Sequence, residues 1–212
     1  MCRPLLVQSD THMKFVTASF AIGISLACAI ATAAAPAPAR IRGVVTAIDD
    51  SQIVVQPKSG APITISLAKE WRVSVTKPVK VDQIVAGSFI GTTEIPQADG
   101  SGRSLEVHVF PPGVKVGEGH YAWDLQPGSM MTNGTVGKVV SGANGRELQI
   151  SYPNGQRKVT VPPNVPVVQI ESGERAQVKV GIPVFLIAVS RADGTQVASS
   201  VSIGENGAAP PM

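Results

Sequence analysis

Cysteine is nearly absent from this chain, and its absence removes several kinds of chemistry. The two cysteines, Cys2 and Cys28, both lie in an N-terminal segment that we expect to be removed on export. The mature protein would therefore form no disulfide, hold no metal through thiolates and use no cysteine nucleophile.

Aromatic residues, charge and long hydrophobic runs are also scarce. Aromatic residues make up 4% of the chain and the net charge is +3. Both values are too low for the stacking aromatics and basic groove of a single-strand binder, so we predict no nucleic-acid partner. After residue 40 no apolar run is long enough to cross a bilayer, which argues against a multi-span membrane domain.

The N-terminal region has the order of a secretory signal. Lys14 precedes an uncharged, mostly apolar run over residues 15–30, and small residues follow it. The motif Ala31-Thr32-Ala33 matches a signal-peptidase site, so we predict a signal peptide over residues 1–33, cleavage after Ala33 and a periplasmic protein. Met13 is an alternative start. An uncleaved anchor is the alternative fate, because the run is long enough to span a bilayer.

The remainder is rich in turn formers and in alternating β-branched residues. It contains much of the chain's 21 glycines and 17 prolines, and we expect residues 34–39 to be a disordered Ala/Pro lead-in. Alternating Val and Ile residues indicate half-buried strands separated by tight turns. The first strands are predicted at residues 41–45, 53–55, 63–67, 71–75, 88–91 and 105–109.

Residues 40–110 and 133–206 read as two diverged copies of one unit. Gly87, Asp99 and Val107 recur 94 residues later as Gly181, Asp193 and Val201. Each copy is near the lower size limit for a core of its own, and a closed barrel would leave no exposed strand edge. We therefore predict an all-β protein of two tandem OB-like barrels related by duplication, followed by a flexible tail over 207–212. A flat sandwich that shares strands between the copies is the alternative.

The linker over residues 111–132 has no counterpart in either copy and holds most of the residues that could carry chemistry. A metal could be bound by four candidate ligands, with methionine as a soft donor for copper. These ligands are His108, Glu118, His120 and Asp124. The alternative is that His120, Trp123 and Asp124 fix the linker against the barrels.

Large apolar side chains in the same region predict a seam or an interface. They are Tyr121, Trp123, Met130 and Met131. Such residues are enriched in protein interfaces, but most large apolar side chains are buried within their own chain. Both interpretations stay open from the sequence.

Four stretches resemble a family of uncharacterised exported proteobacterial proteins made of two short β-barrel repeats. They are residues 105–110, 117–120, 123–125 and 129–136. Members are often labelled metal ABC transporter permeases, a label that conflicts with the single hydrophobic segment of this chain. The resemblance implies OB-like repeats over residues 40–212 and no established activity.

We predict no enzyme and no cofactor. The mature chain has no G-x-S-x-G motif, and Ser129, His120 and Asp124 are crowded into one short loop, where a catalytic relay is improbable. The predicted function is a periplasmic, non-catalytic binding or scaffolding protein with an envelope protein or polymer as its partner. A metal-binding accessory protein that uses the His108, His120 and Asp124 region is the alternative.

Overall fold

The computed structural model describes residues 37–142 and 145–212, so the predicted signal peptide lies outside the described residues. The described chain is all-β, which confirms the predicted fold class. Its strands are β1 Ala39–Ile48, β2 Gln52–Gln56, β3 Ile63–Pro78, β4 Phe89–Pro96, β5 Gly102–Val109, β6 Gly119–Ala122, β7 Met130–Gly142, β8 Gly145–Tyr152, β9 Gly155–Val161, β10 Val167–Gly173, β11 Pro183–Ser190 and β12 Gln196–Gly204. Three short 3₁₀ turns occupy Val81–Gln83, Arg175–Gln177 and Glu205–Gly207. Within the described residues, no helix has the length and apolar character needed to cross a membrane.

Tight turns between the strands use side-chain acceptors. Asp49 accepts hydrogen bonds from the backbone N–H groups of Ser51 and Gln52 between β1 and β2. These bonds, with that of Ser51 largest, lower the pKa of Asp49 to about 2. Gly100 takes a φ of 79° between β4 and β5, a conformation that favours glycine. Both turns lie between strands that the sequence predicts.

Five strands close a barrel in the order β1-β2-β3-β12-β11-β1. Every strand pairing in this barrel is antiparallel except that of β3 with β12, which is parallel. The interior is filled by alternate side chains from each strand, among them Ile41, Ile53, Ile65 and Val201, all buried. This closed five-stranded barrel has the OB-like form that the sequence predicts.

Five further strands pair in a second closed circuit, β7-β8-β9-β5-β4-β7, which we call the second ring. Strands β5 and β9 meet only at Gly102 and Arg103. A separate apolar cluster fills this ring, with Ile90, Val136 and Ile150 at its centre. Strand β10 pairs with β3 and with β5, and so connects the barrel to the second ring.

The strand composition differs from the predicted boundaries. The barrel takes three strands from residues 39–78 and two from residues 183–204, whereas the second ring takes β4 and β5 from the first segment. Residues 40–110 therefore do not close a barrel of their own, and neither do residues 133–206. The strands predicted at 63–67 and 71–75 are also one strand, β3.

Several strand pairings recur at a shift of 94 residues, as in the pairings of β11 with β12 and of β4 with β5. Val201 pairs with Val73 in the barrel, and Val107 pairs with Val167 beside the second ring. The 3₁₀ turns Val81–Gln83 and Arg175–Gln177 follow the same shift. Pro162 and Pro163 lie between β9 and β10, at the positions that a shift of 94 residues relates to the middle of β3, and the strand is interrupted there, as expected for residues that cannot donate to a ladder.

Candidate functional site

One side of strand β5 packs in the core of the second ring and the other side carries polar groups. Val107 is fully buried in the apolar cluster. Because neighbouring side chains on a strand point to opposite faces, Glu106 and His108 lie on the outer face. Both are nonetheless buried, with 1% and 4% of their side chains exposed. Buried polar side chains of this kind need internal partners.

Thr93, Glu106 and His108 form a hydrogen-bonded row on that face. The backbone N–H and the hydroxyl of Thr93 donate to Glu106 Oε1 at 2.8 and 2.7 Å. His108 Nδ1 lies 3.0 Å from Glu106 Oε2. The carboxylate thus fixes the imidazole orientation and leaves Nε2 as the nitrogen without an assigned partner.

Asn133 on β7 lies beside the free nitrogen of His108, across Gly91 on β4. Its Nδ2 donates to the carbonyl of Gly117 at 3.0 Å and to the hydroxyl of Tyr121 at 2.9 Å. Its Oδ1 is buried without a hydrogen-bond partner. A Cβ at residue 91 would stand 2.0 Å from His108 Nε2 and 2.2 Å from Asn133 Oδ1, so only glycine leaves room for both atoms.

These groups border a cavity of about 500 Å³ between the barrel and the second ring. That volume is within the usual range for sites that enclose a small molecule. His108 and Asn133 contribute from the second ring, and β3, β10, β11 and β12 contribute the opposite wall. Most of the remaining lining is apolar or aromatic and includes Phe110, Tyr121, Trp123, Met131, Phe185 and Met212.

The aromatic part of the wall is held by the segment between β5 and β7. Tyr121 and Trp123 meet edge to face with ring centroids 6.2 Å apart, and Trp123 lies 6.2 Å from the ring of Phe185. The guanidinium of Arg40 covers the Trp123 ring at 4.0 Å. Burial raises the pKa of Tyr121.

A second polar cluster closes one end of the second ring. Glu94 Oε1 accepts a hydrogen bond from Arg157 Nε at 2.6 Å, and His120 Nδ1 lies 3.9 Å from the same oxygen. Glu94 is fully buried, and burial raises its pKa although Arg157 opposes the shift. Burial and the charge of Arg157 lower the pKa of His120, whose Nδ1 pairs with the hydroxyl of Thr132 at 2.9 Å.

The barrel has apolar residues where the second ring is polar. At the shift of 94 residues, Glu94 corresponds to Ala188 and Ser104 corresponds to Ala198. Glu94 pairs with Ser104 across β4 and β5, and Ala188 pairs with Ala198 across β11 and β12. Both alanines are fully buried in the barrel core. The polar groups of the second ring are therefore not required by this β-fold as such.

The four predicted metal ligands are not brought together. His120 pairs with Thr132 and His108 lies beside Asn133, and these neighbours on β7 point to opposite faces of the sheet. Asp124 forms an ion pair with Arg42 at 2.9 Å, and Glu118 is exposed. Over residues 37–142 and 145–212, no group of three or more His, Cys, Asp or Glu residues could hold a metal ion.

The predicted linker residues divide between two faces. Tyr121, Trp123 and Met131 line the cavity, whereas Met130 pairs with Glu94 and Ala122 and lies outside its lining. Three of the four therefore cover a seam within the chain.

Sequence reasoning missed Glu106, Asn133, Gly91, Glu94 and Arg157. One signal was available for Glu106, since Glu106-x-His108 places two polar side chains on the same face of a strand whose other face is apolar. Asn133 and Arg157 carried no such local signal. Their partners lie on other strands, and only the fold brings them together.

No protein-family model, curated protein or solved structure matches this chain.

Proposed function

We propose that this chain is an exported, non-catalytic binding protein that takes a small, mainly apolar ligand into the cavity between the barrel and the second ring. The observation that carries the proposal is the cavity itself, about 500 Å³ in volume with an aromatic and apolar wall. Cavities of this size and lining are typical of ligand sites.

The non-catalytic part of the proposal draws support from Ser129. Its hydroxyl donates to the carbonyls of Trp123 and Gln126. The imidazole of His120 pairs with Thr132 instead. The residue types of a hydrolytic triad that share this segment are therefore engaged in separate structural bonds.

Export and duplication are part of the same proposal. The signal-like order of residues 14–35 supports export to the periplasm. The strand pairings that recur at a shift of 94 residues support a duplication in which the two copies exchanged their last two strands. Such an exchange places parts of both copies around the cavity.

Cavity filling tests the binding site. Ser199 and Ser200 are both exposed, but only Ser200 lies on the cavity wall. We expect Nile red to bind the wild-type protein with a blue-shifted emission, because the dye enters an apolar environment. Ser200→Trp should weaken that binding on the order of tenfold or more by occupying part of the cavity, and Ser199→Trp should leave it unchanged. Equal dye binding by all three proteins would contradict this location.

A further inference from the structure

We propose that the ligand is an elongated molecule with a flexible, unbranched hydrocarbon chain, and that this chain continues from the cavity into a second apolar groove. The inference rests on the proposed function and specifies the shape and chemistry of its ligand. The second groove, which we call the side groove, has a volume of about 490 Å³. It therefore offers nearly as much space as the cavity of about 500 Å³.

The side groove is mainly apolar and open to solvent. Its lining includes Val79, Val85, Phe89 and Val114. The exposed fractions of Val85 and Val114 are 54% and 39%. Lys115, which carries a charge in this lining, is exposed, so its ammonium group remains in water. A contiguous exposed surface of this kind fits an uncharged apolar group.

The side groove and the cavity meet at the end of strand β5. The last pair in the ladder between β5 and β10 is Val109 with Gln169, and both residues line the side groove. Phe110 and Ile170, the next residue on each chain, line the cavity, and Phe110 lines the side groove as well. The two spaces are therefore separated by one residue step along each chain.

A molecule that occupies both spaces must bend around a short turn. A hydrogen bond from the N–H of Val114 to the carbonyl of Pro111 closes this turn at 3.1 Å, and both residues line both spaces. Gly113 takes a φ of 80° at its centre. Because Val109 and Phe110 are neighbours on an extended chain, their side chains point to opposite faces, so the two spaces lie on different sides of the strand end. A flexible hydrocarbon chain can follow that bend, whereas a rigid flat ring is confined to one side.

The test compares 1-hexanol with 1-dodecanol, two neutral alcohols that differ only in chain length. Their affinities are measured by displacement of Nile red from the purified protein, below the solubility limit of each alcohol. Each buried methylene group strengthens binding about fourfold. We therefore expect 1-dodecanol to bind roughly a hundredfold or more tightly than 1-hexanol, which the cavity alone should hold.

Two variants locate the additional methylene groups. Val85→Asp places a charge in the side groove and outside the cavity, so it should weaken 1-dodecanol binding roughly tenfold or more and leave 1-hexanol binding unchanged. Val180→Asp is the matched control and should change neither affinity. Val180 is 62% exposed, belongs to the corresponding turn of the barrel and lines neither space. Because both valines are exposed, neither substitution disturbs an apolar core.

The outcomes separate this inference from the proposed function. Unchanged 1-dodecanol binding in Val85→Asp, or an equal loss in Val180→Asp, would overturn the extension into the side groove and leave the proposed function standing. Equal affinities of the wild type for the two alcohols would have the same meaning. Displacement of Nile red by neither alcohol would overturn the proposed function itself.

Discussion

Removal of the Arg157 guanidinium should leave the carboxylate of Glu94 buried without its cation. Their 2.6 Å contact joins side chains that are 16% and 0% exposed. Arg157 also donates to the carbonyls of Gly100 and Ser101, so it anchors the turn between β4 and β5. Glu94 Oε2 has no partner and faces Gly102, where a Cβ would stand 2.3 Å away. The carboxylate therefore has little room in which to find a substitute partner.

The expected loss of stability follows from removing one partner of a buried ion pair. Arg157→Met should lower the free energy of unfolding at pH 7 by about 3–5 kcal/mol, because a buried charge loses its compensation. Glu94→Gln added to Arg157→Met removes that charge, and the double variant should lose only about 1–2 kcal/mol relative to wild type. The difference between the two variants, on the order of 2–3 kcal/mol, is the energy of the uncompensated buried charge.

Urea unfolding at two pH values measures both effects. Burial raises the pKa of Glu94 in the folded state above its ordinary value of 4.5. The stability contributed by the neutral carboxyl is complete below 4.5 and is lost as the pH rises through the folded pKa. Loss of the opposing charge of Arg157 raises that pKa further, so the penalty of Arg157→Met should shrink near pH 4. A loss below about 1 kcal/mol, or one that is equal at pH 4 and pH 7, would refute the reasoning.

Three further outcomes can be measured with the same purified protein. Gly91→Ala should lower the free energy of unfolding by about 1–3 kcal/mol, because its Cβ would overlap His108 Nε2 and Asn133 Oδ1. Gly137→Ala should be nearly neutral, since its Cβ would meet only a carbonyl at 3.8 Å, and equal losses in urea unfolding would contradict the crowding argument. The folded-state pKa of His120 is lowered, so the wild type should lose stability as the pH falls from the ordinary imidazole pKa of 6.5 through that folded pKa. In thermal unfolding, His120→Gln should not show this pH-dependent loss. Parallel pH profiles of the two proteins would contradict a role of His120 in the loss. Asp124→Ala should lower the free energy of unfolding by at most about 1 kcal/mol, because its ion pair with Arg42 is half-exposed. Salt screens such a pair, so an equal loss of stability in 1 M salt would contradict this explanation.

The strands were predictable from the sequence, but their partners were not. Alternating residues such as Ile53 and Val55 identify the buried face of a strand, and the structure buries both completely. The same pattern does not identify the neighbouring strand, because any half-buried strand presents an equivalent edge. Strand β3 therefore pairs with β12, from the far end of the chain, without a local signal of that choice. The break predicted within β3 was wrong because residues 68–70 continue the strand.

The site shows the same division between local and long-range information. The outward position of His108 follows from its place between Val107 and Val109, and the structure agrees. The four predicted metal ligands are not brought together, because the sequence proximity of His108 and His120 does not reveal that their partners on β7, Asn133 and Thr132, face opposite sides of one sheet. Asn133 is brought next to His108 only because β7 pairs with β4, which carries Gly91 and belongs to the first sequence segment.

Methionine methyl NMR provides the most direct test of the cavity as a ligand site. Met131 and Met212 line the cavity, and Met130 lies outside its lining. Addition of 2-naphthol to protein labelled with ¹³C at the methionine methyl groups should shift the Met131 and Met212 signals by the ring current of the bound ligand, with the Met130 signal unchanged. A shift of Met130 alone, or saturable binding of 2-naphthol with no change at Met131, would contradict the proposal that the cavity between the barrel and the second ring is the binding site.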